Sequence, residues 1–253
     1  MGQSMIDSGR LLDVLAAEGG LLAEVVHGAS AEAQVPTCPG LTIGETARHV
    51  GSVYRMVRSW LLEGRRPERW QRDPRPGQSA LDYLQDGHQA LLELLSAHDP
   101  EEQASTWWPA DRTYGFWSRR VAHETTIHRI DVQSAAGAEP TEVDEDVAVD
   151  GVDEALALWF GRKLQMLGLS GTKAGSVGVR TANHHWIARA GPSETTAWRC
   201  SEQDAERADA TVTASPMMVY LWLWGRSSLA SVMVSGQHDA AGQLWALLRL
   251  ATR

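Results

Sequence analysis

Arg120-Val-Ala-His-Glu-Thr-Thr-Ile-His-Arg-Ile-Asp131 carries an apolar side, Val121, Ile127 and Ile130, and a polar stripe, Arg120, Glu124, His128 and Asp131, at spacings of four, four and three residues. Those spacings are helical. Four residues turn a helix through about 400°, so Glu124 and His128 leave the same face one turn apart. A polar stripe beside an apolar one faces either water or a site. The pattern is not the zincin motif, whose histidines stand at i and i+4; His123 and His128 are five residues apart, about 140° around the helix, which leaves His123 outside the set.

Upstream, Thr42-Ile-Gly-Glu45 reads as a capping box that opens a helix after the Pro39-Gly40 turn. Its face runs Thr46, His49, Val53, Met56 and Trp60 beside Ile43, Val50, Tyr54 and Val57, so His49 is a lone titratable group in an apolar surface. His49, Glu124 and His128 together make two imidazoles and a carboxylate from two helices, the donor set of a zinc site that keeps its fourth position open. A lone histidine on such a face is equally the pattern of a hydrogen-bonded core residue, and Glu/His at i,i+4 that of a surface ion pair. Spacing alone leaves both open.

Working outward, helical periodicity covers about 8–29, 42–62, 79–98 and 117–136, four helices with polar groups among their apolar faces. This predicts a bundle, in which metal sites are built from inward-facing side chains of neighbouring helices. His88 interrupts the third apolar stripe and reads as a core histidine or, if a metal is present, as a replacement ligand. After a helix over about 144–167 and a small-residue connector, short strand patterns follow at 177–181, 186–189, 195–199 and 210–213. A helix from Ser215-Pro216 through Trp224, a strand over 229–234 and a helix over 238–250 complete an α+β domain. The expected boundary places a helical domain at 1–143 and the α+β domain at 144–253.

With 253 residues, 43% of them hydrophobic, the chain is long enough for two ordinary domains without disulfides. Cys38 and Cys200 form no Cys-x-x-Cys motif and lie far in sequence from the His/Glu segment, so thiol chemistry calls for a thiol from outside. That cysteine usage fits a reducing compartment, and no apolar run approaches a membrane span or a secretory signal, so the expected location is the cytoplasm. A net charge of −9 argues against nucleic acid as partner. The basic run from Arg65 to Arg75 is broken by prolines and reads as a solvated loop. No phosphate loop, dinucleotide fingerprint or serine nucleophile elbow is present.

Pro39-Gly-Leu-Thr-Ile-Gly-Glu-Thr-Ala-Arg-His-Val50, His123-Glu-Thr-Thr-Ile-His-Arg-Ile-Asp131, Leu221-Trp-Leu-Trp-Gly-Arg226 and Val234-Ser-Gly236 resemble the mycothiol-dependent maleylpyruvate isomerase family over almost the whole chain. The resemblance implies a DinB-like four-helix bundle with a His, Glu, His zinc site, followed by an α+β domain similar to sterol carrier protein 2. It carries the ligand roles to His49, Glu124 and His128, names Zn2+ and mycothiol as cofactors, and matches Arg226 to the arginine of the Trp-Gly-Arg motif. Gly236-Gln-His departs from the Gly-Asp usual in relatives. The chemistry implied is attack of an activated thiol on a small electrophile, as an S-transferase or a cis-trans isomerase. A hydrolase using zinc-bound water and a non-catalytic carrier of small molecules are the rival classes.

Around that set, Asp131 is the candidate for holding His128 from behind, because a ligating histidine usually donates its other N–H to a carboxylate. Arg120, the cofactor-binding candidate, either orients a carboxylate substrate or pairs with Glu124. Arg226 is the candidate for an anionic group, and Trp107, Trp108, Trp222 and Trp224 read as packing.

Overall fold

The computed structural model describes residues 4–252. They divide into two compact units, one of Ile6–Thr141 and one that takes residues 4–5 together with the residues from Glu142 onward. The first unit consists of four long helices: α1 (Ser8–Gly28), α2 (Ile43–Glu63), α3 (Ala80–Ser96) and α4 (Tyr114–Ala135). Each starts where a side chain satisfies otherwise unpaired backbone donors: Asp7 on Arg10 N, Thr42 on Glu45 N, Ser79 on Asp82 N and Thr113 on Phe116 N. In α2 the capping box is complete, since Glu45 Oε2 also accepts from Thr42 N at 2.8 Å.

α4 is the central helix of this unit. Residues on every side of it are buried, polar ones included, and among them Arg129 is wholly buried. An uncompensated guanidinium there would cost several kcal/mol. Arg129 instead donates to both oxygens of Glu18 on α1, at 2.6 and 3.0 Å, to Gln133 Oε1 at 2.8 Å and to the Thr141 carbonyl at 2.7 Å. α1 and α4 are therefore registered by a planar fork as well as by Leu11, Leu15 and Leu22, all fully buried.

In the second unit, α5 (Glu145–Glu154) runs into a π-helical stretch, Ala155–Lys163, and a last turn, α6 (Leu164–Met166). A five-stranded sheet follows, built from β1 (Gly175–Thr181), β2 (His184–Ala190), β3 (Thr195–Arg199), β4 (Ala210–Thr213) and β5 (Met233–Gly236) in the order β3-β2-β1-β4-β5. β1 and β4 are parallel and the other pairs antiparallel. α7 (Glu202–Glu206) makes the crossover between β3 and β4, while α8 (Pro216–Leu223) and α9 (His238–Ala251) flank β5. The architecture is the expected α+β class. One local expectation is corrected: the strand predicted over 229–234 begins only at Met233, after a single 3-10 turn at Leu229–Ser231. The helix expected over about 144–167 stands, with i→i+5 bonding over Ala155–Lys163. Apolar spacing resolves neither the turn nor the wider bonding.

Among the described residues no helix is long and apolar enough to cross a membrane. Trp108, Trp222 and Trp224 are buried, in keeping with packing.

Candidate metal centre

Two helices of the first unit supply the site. α2 presents His49 and α4 presents Glu124 and His128. Glu124 Oε1 lies 3.4 Å from His49 Nε2 and 3.3 Å from His128 Nε2. The two imidazole rings meet edge to face with centroids 5.1 Å apart. One ligand atom from each of the three residues falls within 4.8 Å of the others, a spread that one ion can bridge.

Arg120, one turn before Glu124, donates from Nη2 to Glu124 Oε2 at 2.7 Å. This is the Glu124 pair that the sequence offered as one of two roles for Arg120. That contact engages Oε2 and leaves Oε1 turned toward the histidines. Burial pushes the Glu124 carboxyl up, but hydrogen bonds from His128 and His49 and the Arg120 charge outweigh it and hold the group well below the usual carboxylate range.

His128 is held from behind. Its Nδ1 is 3.0 Å from Asp131 Oδ2, and Asp131 is fully buried. Flanked by carboxylate oxygens at both ring nitrogens, His128 keeps its proton in spite of burial, and its pKa is raised to about 9. The Nε2 lone pair of a neutral His128 is the one a metal ion would take, so protonation and metal binding compete for the same atom.

Several contacts had no sequence signal. The loop after α2, read from sequence as solvated, places Trp70 edge-on to His49 with centroids 5.7 Å apart, and Gln71 Nε2 lies 3.4 Å from His49 Nδ1. Cys38, far away in sequence, lies within 3.5 Å of Asp131 Oδ2, so that Cys38, His128 and Asp131 form a second convergent set. Its atoms already hydrogen-bond to one another, which makes it the support behind His128.

His88 does not join. Its Nε2 lies 2.8 Å from the Leu15 carbonyl and its ring packs on Tyr54, so it is a core histidine. His123 is fully buried and belongs to neither convergent set. Arg226 belongs to the second unit, where it follows α8 and donates from Nη1 to the Trp224 carbonyl at 2.7 Å.

Residues 12–133 match the family model described as the mycothiol maleylpyruvate isomerase N-terminal domain. The fold is similar to that of a mutant of the mycothiol-dependent maleylpyruvate isomerase, with a TM-score of 0.59 and 13% identity over 91% of this chain and 93% of that one. A second crystal structure of the mycothiol-dependent maleylpyruvate isomerase gives a TM-score of 0.55 at 12% identity over the same shares. At these identities the likeness is one of fold. No curated protein matches the sequence.

Proposed function

We propose that this chain, whose residues 12–133 match the mycothiol maleylpyruvate isomerase N-terminal domain, is a zinc- and mycothiol-dependent enzyme acting on a small electrophile, as a cis-trans isomerase or an S-transferase. The observation that carries the reading is the convergence of His49 Nε2, His128 Nε2 and Glu124 Oε1, with Oε2 engaged by Arg120 and Nδ1 of His128 engaged by Asp131. Two imidazoles and one carboxylate fit zinc with an open position. Bound there, the ion would lower the pKa of an incoming thiol, of which only a few per cent is thiolate at neutral pH.

The chain's own groups divide the remaining work. His49, Glu124 and His128 would hold the ion. Asp131 fixes the His128 ring with Nδ1 protonated, so that Nε2 offers its lone pair. Arg120 keeps Glu124 ionised and engages its Oε2, so that Oε1 is the oxygen that would face the ion. By its motif, Arg226 is assigned to an anionic group of substrate or thiol. A thiol that adds to an unsaturated acid, permits rotation and leaves again isomerises it; one that stays yields a conjugate.

Turnover of unsaturated diacids and of a panel of electrophiles, measured with and without mycothiol, tests the assignment. Activity that needs both the thiol and intact His49 is expected. Hydrolysis without any thiol would replace this reading with metal-activated water. Ligand retention without turnover would replace it with a carrier.

A further inference from the structure

The reading of the metal centre leaves Asp131 to be explained, because a wholly buried carboxylate needs donors beyond the histidine it orients. Thr37 Oγ1 donates to Asp131 Oδ1 at 2.6 Å, across 94 residues of sequence, and Cys38 Sγ lies 3.5 Å from Oδ2. Both sit in the loop between α1 and α2. That loop is tied down by its own backbone: Val35 N donates to Leu41 O, Cys38 N to Val35 O, Leu41 N to Cys38 O, Ile43 N to Ala33 O and Gly44 N to Ala31 O. Val35 is buried beneath it, and Gly40 takes the left-handed conformation, φ 93°, that closes the turn. The Thr37 hydroxyl is thus held at a fixed place just before the helix that carries His49.

We infer that Thr37 is a positioning residue of the metal centre, anchoring one oxygen of Asp131 so that the other holds His128 with Nε2 directed at Glu124 and His49. Cys38 adds a weaker, longer contact to the oxygen that His128 uses. The chain Thr37, Asp131, His128 joins the loop before α2 to α4 by side chains, and α2 and α4 are the two helices that supply the ligands. This inference rests on the zinc reading, and the test separates the two.

Zinc affinity is measured by chelator competition for wild type, Thr37→Val, Thr37→Ala and Thr37→Ser. In the zinc-free proteins, solvent exchange of the His128 Nδ1 proton is followed by NMR, with His128→Gln used to assign it. Val and Ala remove the hydroxyl, Ser keeps it. The expected result is a loss of zinc affinity of about 10- to 100-fold in the hydroxyl-free variants, faster exchange of the Nδ1 proton, and recovery of both in Thr37→Ser. Unchanged exchange and affinity in Thr37→Val or Thr37→Ala, or no recovery with serine, overturns it. Hydroxyl-free variants that fail to fold beside a folded Thr37→Ser would assign Thr37 to folding and also overturn it. Wild type that binds no zinc would sink the metal reading alone, and proton exchange would still decide the role of Thr37.

Discussion

Glu124 Oε1 stands nearly midway between two imidazole nitrogens, 3.4 Å from His49 on α2 and 3.3 Å from His128 on its own helix. One carboxylate oxygen thereby serves as the meeting point of two helices. A metal ion and the His128 proton compete for that point.

Removing one ligand should empty the site without unfolding the unit. Protein purified without added metal should carry about one zinc per chain, and His49→Ala should reduce it to trace. His88→Gln should retain the wild-type content, because His88 is engaged with Leu15 O. Elemental mass spectrometry decides both. Zinc lost on mutation of His88 would place that histidine in the site against its geometry.

The metal-free protein should be least tolerant of alkali. The His128 pKa is raised from 6.5 to about 9, so its contribution is fully present below 6.5 and lost as pH rises through about 9. Glu124, held below 4.5, works in the opposite sense and loses its contribution as pH falls. Urea unfolding of chelator-treated protein should therefore show stability falling from pH 6 to pH 9.5. Zinc loading should remove that decline, since the ion requires the neutral ring. A zinc-free protein that grows more stable over this range would contradict the assigned protonation.

Cutting the α1–α4 fork should be severe. Glu18→Ala strands the wholly buried Arg129 guanidinium, an effect of about 3–5 kcal/mol. Thermal and urea unfolding read it directly. A loss under 1 kcal/mol would mean that Gln133 and Thr141 alone suffice for Arg129.

In the second unit, α5 and α8 touch at Gly151, where a Cβ would come within 2.2 Å of Tyr220 Cε2. Tyr220 is fully buried. Gly151→Ala should cost about 1–3 kcal/mol by overpacking, although alanine is the better helix former. An unchanged unfolding midpoint would show that Tyr220 repacks freely.

Local rules made much of the protein legible. The capping box at Thr42 and Glu45 and the i,i+4 pair of Glu124 and His128 are dictated by helix geometry, and both stand in the structure where the spacing puts them. So does Asp131, one turn beyond His128. The change from helical to alternating patterns likewise announced β1 to β4.

Tertiary structure alone brought His49 to Glu124, set Arg120 on Oε2, laid Trp70 and Gln71 against His49, and delivered Thr37 and Cys38 to Asp131. It also decided that His88 spends its nitrogen on Leu15 O and that β1 pairs in parallel with β4. The physical reason is range. Periodicity and capping act over one or two turns, and they settle the long helices and the face each ligand occupies. Which faces meet, and which loop residues saturate a buried carboxylate, follows from packing between segments tens of residues apart, where no spacing rule applies.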